Sequence, residues 1–260
     1  MLSGKSFVII GGTTGIGLSA AHAFVHAGAR VVIVGRDPAH LAAAQEEIGK
    51  SVVGIEGDAC RPGTAEEAIE LSLTRHGAFD GIYHVAGGSG RKSGDGPLHE
   101  LTDQGWNATL EWNLTSTMFS NRAAVRHFRA NRRPGTILNM SSVLGWSPSP
   151  AYFATHAYAA AKAAIIGFTK AIAATYASEN IRANVIAPAL VETPMSARAS
   201  HDDAILHFIH TKQPLDGGRI AQPEDLDGAA VYLMSEHARF VTGQVLSVDG
   251  GWSLSDGQLA

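Results

Sequence analysis

Short β-branched runs alternate with longer helical patterns along almost the whole chain, and few folds accept that rhythm. Residues 6–10, 30–34, 52–56, 81–85, 136–140, 182–186 and 244–248 read as strands. Residues 15–27, 38–48, 64–75, 157–177 and 223–234 read as helices, as does 102–130 with a possible break near Asn113. Gly28 stands where a helix C-cap glycine belongs. The strand runs are apolar throughout, as in strands buried on both faces. Strict β–α–β alternation with right-handed crossovers gives a doubly wound parallel sheet of about seven strands with helices on both faces. The 260 residues fit one such domain, 1–260. Two connections are unusually long, residues 87–101 and 188–223. Both leave carboxyl ends of strands, where open α/β sheets bind ligands, so both are expected to shape a substrate pocket.

Composition excludes several classes. Hydrophobic residues make up 45% and charged residues 17%, against disorder. Net charge is −4 and the arginines are scattered, so no nucleic-acid partner is expected. The least polar stretch, 157–177, holds Lys162, Thr169, Lys170 and Thr175, which suits a buried helix better than a membrane span. The amino terminus runs straight into the first strand pattern, without a signal-like segment. The single cysteine, Cys60, can form neither an intrachain disulfide nor a cysteine-based metal site, which favours a cytoplasmic location. His201, His207 and His210 lack a compact pair with a carboxylate, so no metal is expected.

Between the first strand and first helix stands Gly11-Gly12-Thr13-Thr14-Gly15-Ile16-Gly17. Glycines there let backbone approach a pyrophosphate, and the helix start offers free N–H groups. A tight turn with no ligand has the same glycines; the strand–helix context favours the ligand. Tyr158 and Lys162 are four apart on a predicted helix and share a face. Ionising a tyrosine at neutral pH costs about 4 kcal/mol, and a cation nearby lowers that cost. Such a pair also arises by chance. Tyr152, with His156 four residues on, lacks the cation.

The glycine loop resembles the signature of the short-chain dehydrogenase/reductase family, with Ile10 in place of its usual threonine. The resemblance extends over nearly the whole chain. It takes in Asp58, Ala86-Gly87, Asn113-Leu114, Ser141-Ser142, Tyr158-x3-Lys162, Pro188 to Thr193, and Thr242-Gly243 through Gly250-Gly251. The later half is most similar to the 3-oxoacyl-carrier-protein-reductase-like branch. The resemblance implies a Rossmann-type α/β fold and hydride exchange between a nicotinamide dinucleotide and a carbonyl or alcohol carbon. It implies Tyr158 as acid/base, Ser142 as hydrogen-bond partner of the reacting oxygen, and Lys162 as ligand of the nicotinamide ribose. Asn113 would bend its helix and hold a relay water. Gly11, Thr13, Thr14, Gly15, Ile16, Gly17, Arg36, Asp58, Ala59, Ala86, Gly87, Pro188, Val191 and Thr193, with Tyr158 and Lys162, would line the cofactor. Asp58 also reads as a plain turn residue.

The second strand ends Gly35-Arg36-Asp37-Pro38. Family members that prefer NAD(H) usually carry an acid where Gly35 stands; Arg36 suits a 2′-phosphate, so NADP(H) is favoured over NAD(H). Asp37 is either that acid displaced or a helix N-cap before Pro38. Two departures stand out. His84-Val85 replace the family's paired asparagines, and Ala189 replaces its glycine, which is harmless if Ala189 avoids positive φ. The stretch from Ser142 to Tyr158 is slightly longer than is common. Its Trp146, Tyr152, Phe153 and His156 either line an apolar pocket or cap the sheet; Trp106, Trp112 and Phe119 read as core. A non-enzymatic dinucleotide-binding regulator is the rival class, disfavoured by the intact Ser142, Tyr158 and Lys162. Helix 157–177 and the segment around Gly250-Gly251-Trp252 suggest a homotetramer, by the family's habit.

Overall fold

The computed structural model describes residues 1–257. In chain order it holds β1 (Ser6–Ile10), α1 (Gly15–His26), β2 (Arg30–Gly35), α2 (Pro38–Ile48), β3 (Val52–Glu56), α3 (Thr64–His76) and β4 (Gly81–His84). Then come α4 (Asp103–Leu110), α5 (Ser116–Ala130), β5 (Gly135–Met140), α6 (His156–Tyr176), β6 (Ile181–Pro188), α7 (Ala197–Ser200), α8 (Asp203–Lys212), α9 (Asp227–Met234) and β7 (Val245–Val248). The strands form one sheet in the order β3-β2-β1-β4-β5-β6-β7, and every pairing is parallel. The order reverses between β1 and β4, and a crevice opens there beyond the strand ends. This is the single-domain, doubly wound sheet expected; the last three residues of the span 1–260 lie outside the described residues.

Alternate residues of each strand serve opposite faces. Phe7 and Ile9 of β1 join Phe24 of α1 and Leu233 of α9 on one side. Val8 and Ile10 join Ile69 of α3 and Phe128 of α5 on the other. A third, smaller apolar cluster holds Val143, Ala199, Ile205, Ile209 and Trp252 beneath the segment after β6. Gly28 has φ +97°, and Ala29 N–H donates to Phe24 O at 2.9 Å, closing α1 with the bond pattern of a glycine cap.

The break expected near Asn113 within residues 102–130 is a π turn over Glu111–Thr115 that joins α4 to α5. Two expectations need correction. Residues 188–223 are not a bare loop, since α7 and α8 fold within them and bury Ile205 and Ile209. Trp106 is not core; it is exposed, and Trp112 and Phe119 are half-buried. Apolar residue type alone does not distinguish a core face from an outward one. The 24 residues His156–Glu179 are long and apolar enough to cross a membrane. Here they pack on β6 and bury Lys162 near their amino-terminal end.

Candidate active site

The glycine loop leaves β1 at the switch point, and steric detail explains its residues. A Cβ on Gly11 would meet Ala86 N at 2.7 Å, and one on Gly17 would meet Gly11 O at 1.9 Å. Any side chain at Gly17 would fill the turn with its own backbone. Thr14 is the N-cap of α1, makes no side-chain cap bond, and no acid stands in the first turn. That leaves a positive helix end free for an anion. Thr13 is buried, and its side chain occupies the space beside Gly35, where a Cβ would come within 2.4 Å of Thr13 Cγ2. An acid at position 35 therefore does not fit unless Thr13 moves.

Asp37 is the N-cap of α2: its Oδ1 accepts from Ala39 N at 2.8 Å and His40 N at 3.2 Å. These backbone donors hold its carboxyl below the usual aspartate range. Arg36 beside it is exposed. Asp58 is exposed and accepts from Cys60 N at 3.0 Å, a local turn bond, with half-buried Ala59 between.

From the glycine loop a line of contacts leads to the proton chemistry. Gly11 faces Ala86; beside it, a Cβ on Gly87 would lie 2.5 Å from Asn113 Oδ1 and 3.5 Å from Lys162 Nζ. Lys162 Nζ donates to Met140 O at 3.0 Å and sits 5.3 Å from the centroid of the Tyr158 ring. Ser142 is near enough to the Tyr158 hydroxyl to act on it as a hydrogen-bond partner and lower its pKa. Ser142 Oγ also accepts from Leu144 N at 3.2 Å and lies 3.5 Å from Pro188 O. Ser141 Oγ instead donates to Lys162 O at 2.7 Å, so it anchors the helix backbone. The structure thus brings Ser142, Tyr158 and Lys162 together and sets Ser141 apart from the phenol.

Electrostatics differ from the sequence expectation. Burial pushes the Tyr158 phenol up to about 12, and the Ser142 hydrogen bond pulls it down. Burial also pushes Lys162 down to about 7. The lysine does not hold the phenol near neutrality, because it is itself stripped of water and carries only part of a charge at pH 7.

Asn113 stands in the π turn and is fully buried. Its Nδ2 donates to Gly88 O at 2.9 Å and to Thr109 O at 2.8 Å, and its Oδ1 accepts from Gly88 N at 3.3 Å. The side chain therefore replaces a missing helix bond and ties down the loop after β4. Its carbonyl accepts from Thr117 Oγ1 at 2.6 Å and Ser116 Oγ at 3.3 Å. The helix distortion expected at Asn113 is present, while its side chain is spent on backbone groups and not on Lys162.

His84, which replaces a family asparagine, is buried with Nδ1 2.8 Å from Ser120 Oγ and Nε2 3.2 Å from Ser116 Oγ. Burial, then the Lys162 charge, push it down to about 3, so it stays neutral and braces α5. Ala189 avoids positive φ. Val191 is buried and bridges Ala221, and Thr193 lies over Gly15, with its Cγ2 3.1 Å from where a Cβ would stand. The Thr193 hydroxyl is 3.3 Å from Ser196 Oγ. Of the aromatic insert, Trp146 is exposed, while Tyr152 and Phe153 pack into the cluster around Trp252. The three histidines after β6 are exposed, and among the described residues no group of metal-ligating side chains gathers.

One functional residue escaped the sequence reading. Asp95, buried in the loop after β4, accepts from Ala157 N and Tyr158 N, both at 3.0 Å. It caps α6 from outside that helix, where Thr155 makes no side-chain cap bond. An acid set between Gly94 and Gly96 in a long loop was the available signal.

A free helix start for phosphates, one strand from a half-buried phenol and a hydroxyl, meets the needs of an oxidoreductase working with a bound dinucleotide. Residues 11–253 match the family model described as Enoyl-(Acyl carrier protein) reductase. The chain is 36% identical over 255 residues to the 3-oxoacyl-[acyl-carrier-protein] reductase FabG of Chlamydia trachomatis, covering 96% of this chain and 98% of that protein. It is 31% identical to 3beta-hydroxysteroid dehydrogenase 2 of Eggerthella lenta, covering 97% and 96%. Among solved structures, the 3-ketoacyl-(acyl-carrier-protein) reductase of Brucella melitensis, complexed with NADH, superposes with TM-score 0.85 at 28% identity, covering 98% of this chain and all of that one. The chain belongs to the short-chain dehydrogenase/reductase family, in its 3-oxoacyl-carrier-protein-reductase-like branch. It is an oxidoreductase of carbonyl and alcohol groups that works with a nicotinamide dinucleotide.

Proposed function

We propose that this enzyme is an NADP(H)-dependent ketoreductase, or secondary-alcohol dehydrogenase, with Tyr158 as its acid/base. The observation that carries the reading is the gathering of Ser142, the half-buried Tyr158 and the buried Lys162 at one place, with Lys162 Nζ 5.3 Å from the Tyr158 ring. When bound, the nicotinamide supplies or accepts the hydride. Tyr158 Oη donates its proton to the substrate oxygen in reduction and takes it back in oxidation. Ser142 Oγ donates a second hydrogen bond to that oxygen as charge builds on it. Lys162 Nζ, set by Met140 O and close to Gly87, would hold the nicotinamide ribose. Asn113 and Asp95 hold the loop after β4 and the start of α6. Loop 87–101 and the helical segment 188–223 frame the substrate. The first test is NADPH oxidation over a panel of ketones and aldehydes.

For the cofactor, the absence of an acid at Gly35 and the exposed guanidinium of Arg36 support NADP(H). The capping role of Asp37 supports the same reading, because its oxygens already accept two backbone donors. Arg36→Ala is expected to lower the ratio of kcat/KM for NADPH over NADH about tenfold, the loss of one charge-assisted phosphate contact. An unchanged ratio would turn the assignment to NAD(H). NAD(H) is the second reading, favoured by the NADH in the Brucella melitensis enzyme.

We also assign a homotetramer. The outward face of α6, with Ala163, Gly167, Lys170, Ala171 and Ala174 exposed, is small-sided and suits close helix packing. Trp106, 39% exposed, lies on α4, which packs against α6. Light scattering should give four times the chain mass, and a monomer would refute the assignment. A cytoplasmic location completes the reading, with Cys60 inert as a thiol. Burial, then Asp58, push that thiol up to about 11.

A further inference from the structure

Three segments meet over the carboxyl ends of the strands, and they meet at one oxygen. Arg91, in the turn after β4, donates from Nη2 to Tyr152 O at 2.8 Å. Arg198, on α7, donates from Nη2 to the same Tyr152 O at 3.3 Å. The two nitrogens are therefore no farther apart than the sum of those distances. A guanidinium carries five N–H donors, and each of these two uses one here. Neither belongs to an ion pair among the described residues. Asp95 is the acid that acts on Arg91, yet both its oxygens already hold the start of α6.

Two like charges on one carbonyl repel, and an anion between them would relieve that repulsion. Burial and then Arg198 lower the Arg91 pKa, while Asp95 raises it. Tyr152 lies six residues before Tyr158, so the pair of cations stands on the segment that leads into the catalytic helix. Behind it is an apolar wall. The Tyr152 and Phe208 rings are 5.2 Å apart, and Phe208 and Phe153 pack edge-on against Trp252. A cationic rim on an aromatic wall suits an amphipathic acid.

We propose that the substrate carries a carboxylate or phosphate group away from its reacting carbonyl, and that Arg91 and Arg198 hold that group. This deepens the ketoreductase reading and rests on it for the reacting end of the molecule. Arginine binds carboxylate and phosphate alike through paired N–H groups, so the geometry names the shared chemistry.

The test uses three compounds with one reacting ketone: para-acetylbenzoate, its methyl ester, and para-acetylphenyl phosphate. Turnover is followed by NADPH oxidation with the full-length enzyme. Binding is followed separately by ligand-observed NMR in the presence of NADP+. At least one anion should exceed the ester by about tenfold in kcat/KM, chiefly through KM, and in binding. Which anion does so distinguishes a carboxylate from a phosphate ligand. In the Arg91→Gln/Arg198→Gln enzyme the anion-to-ester ratio should collapse, and lysine at both positions should restore part of it. The ratio is internal to each enzyme, so a loss of folded protein cancels. Should the double variant not fold, Arg198→Gln alone carries the same comparison. Equal treatment of the three compounds by the wild-type enzyme, or a preference that survives the substitutions, overturns the proposal. Anion-selective binding that needs the arginines, without turnover of any of the three, keeps the anchor and removes the ketoreductase reading.

Discussion

Tyr158→Phe is expected to lower kcat for carbonyl reduction by about 10²–10⁴-fold, the range that one positioned proton donor supplies. The change deletes a single oxygen from a half-buried side chain, so the fold and the packing against Lys162 persist. NADPH binding, read by fluorescence, should change by only a few-fold. Turnover that survives unchanged would remove the mechanism. The pH dependence carries a further sign. With the phenol pushed up to about 12, Tyr158 stays protonated across the physiological range and is ready as an acid. Oxidation needs the phenolate, so its rate should climb with pH by up to about tenfold per unit. Reduction should show no such climb, and a pH profile in both directions checks the difference.

Much of this was legible in the sequence, and the reasons are local. β1 and β2 read as strands because every residue from Phe7 to Ile10 and Val31 to Val34 is buried between two layers of helices. Gly11 and Gly17 read as a cradle because their side chains would strike backbone, a constraint that only glycine meets. Tyr158 and Lys162 share a helix face that their spacing of four shows directly, and Ser142 stood out by its place before Val143-Leu144-Gly145, as the family resemblance implies. What stayed hidden depends on partners distant in the chain. Asp95 reaches across 62 residues to Ala157 N, and Arg91 meets Arg198 only through the Tyr152 carbonyl. Trp106 was misread because an outward apolar face and a core face share one residue pattern. The pKa of Tyr158 was misjudged for a related reason. Sequence spacing shows the cation but not the desolvation, which is the largest influence on both Tyr158 and Lys162.

That desolvation gives Lys162 an effect on stability opposite to its effect on catalysis. Its side chain is 2% exposed and donates to Met140 O. Burial lowers its pKa from an ordinary value of 10.5 to about 7. The folded-state pKa lies below the unfolded one, so between about 7 and 10.5 the unfolded chain binds more proton than the folded one. Stability therefore rises with pH across that window, and the penalty is fully present below it. At pH 7 the penalty amounts to roughly 4 kcal/mol as an upper bound, at about 1.36 kcal/mol per pKa unit. Lys162→Met removes the charge and keeps most of the volume, and it forfeits one hydrogen bond worth about 1 kcal/mol. The variant should be inactive yet more stable than wild type at pH 7, by up to about 3 kcal/mol in denaturant midpoint analysis. The rise in stability between pH 7 and 10 should flatten in it. A variant less stable than wild type at both ends of that range would mean that Lys162 holds α6 in place through Met140, and that its buried charge costs the fold little.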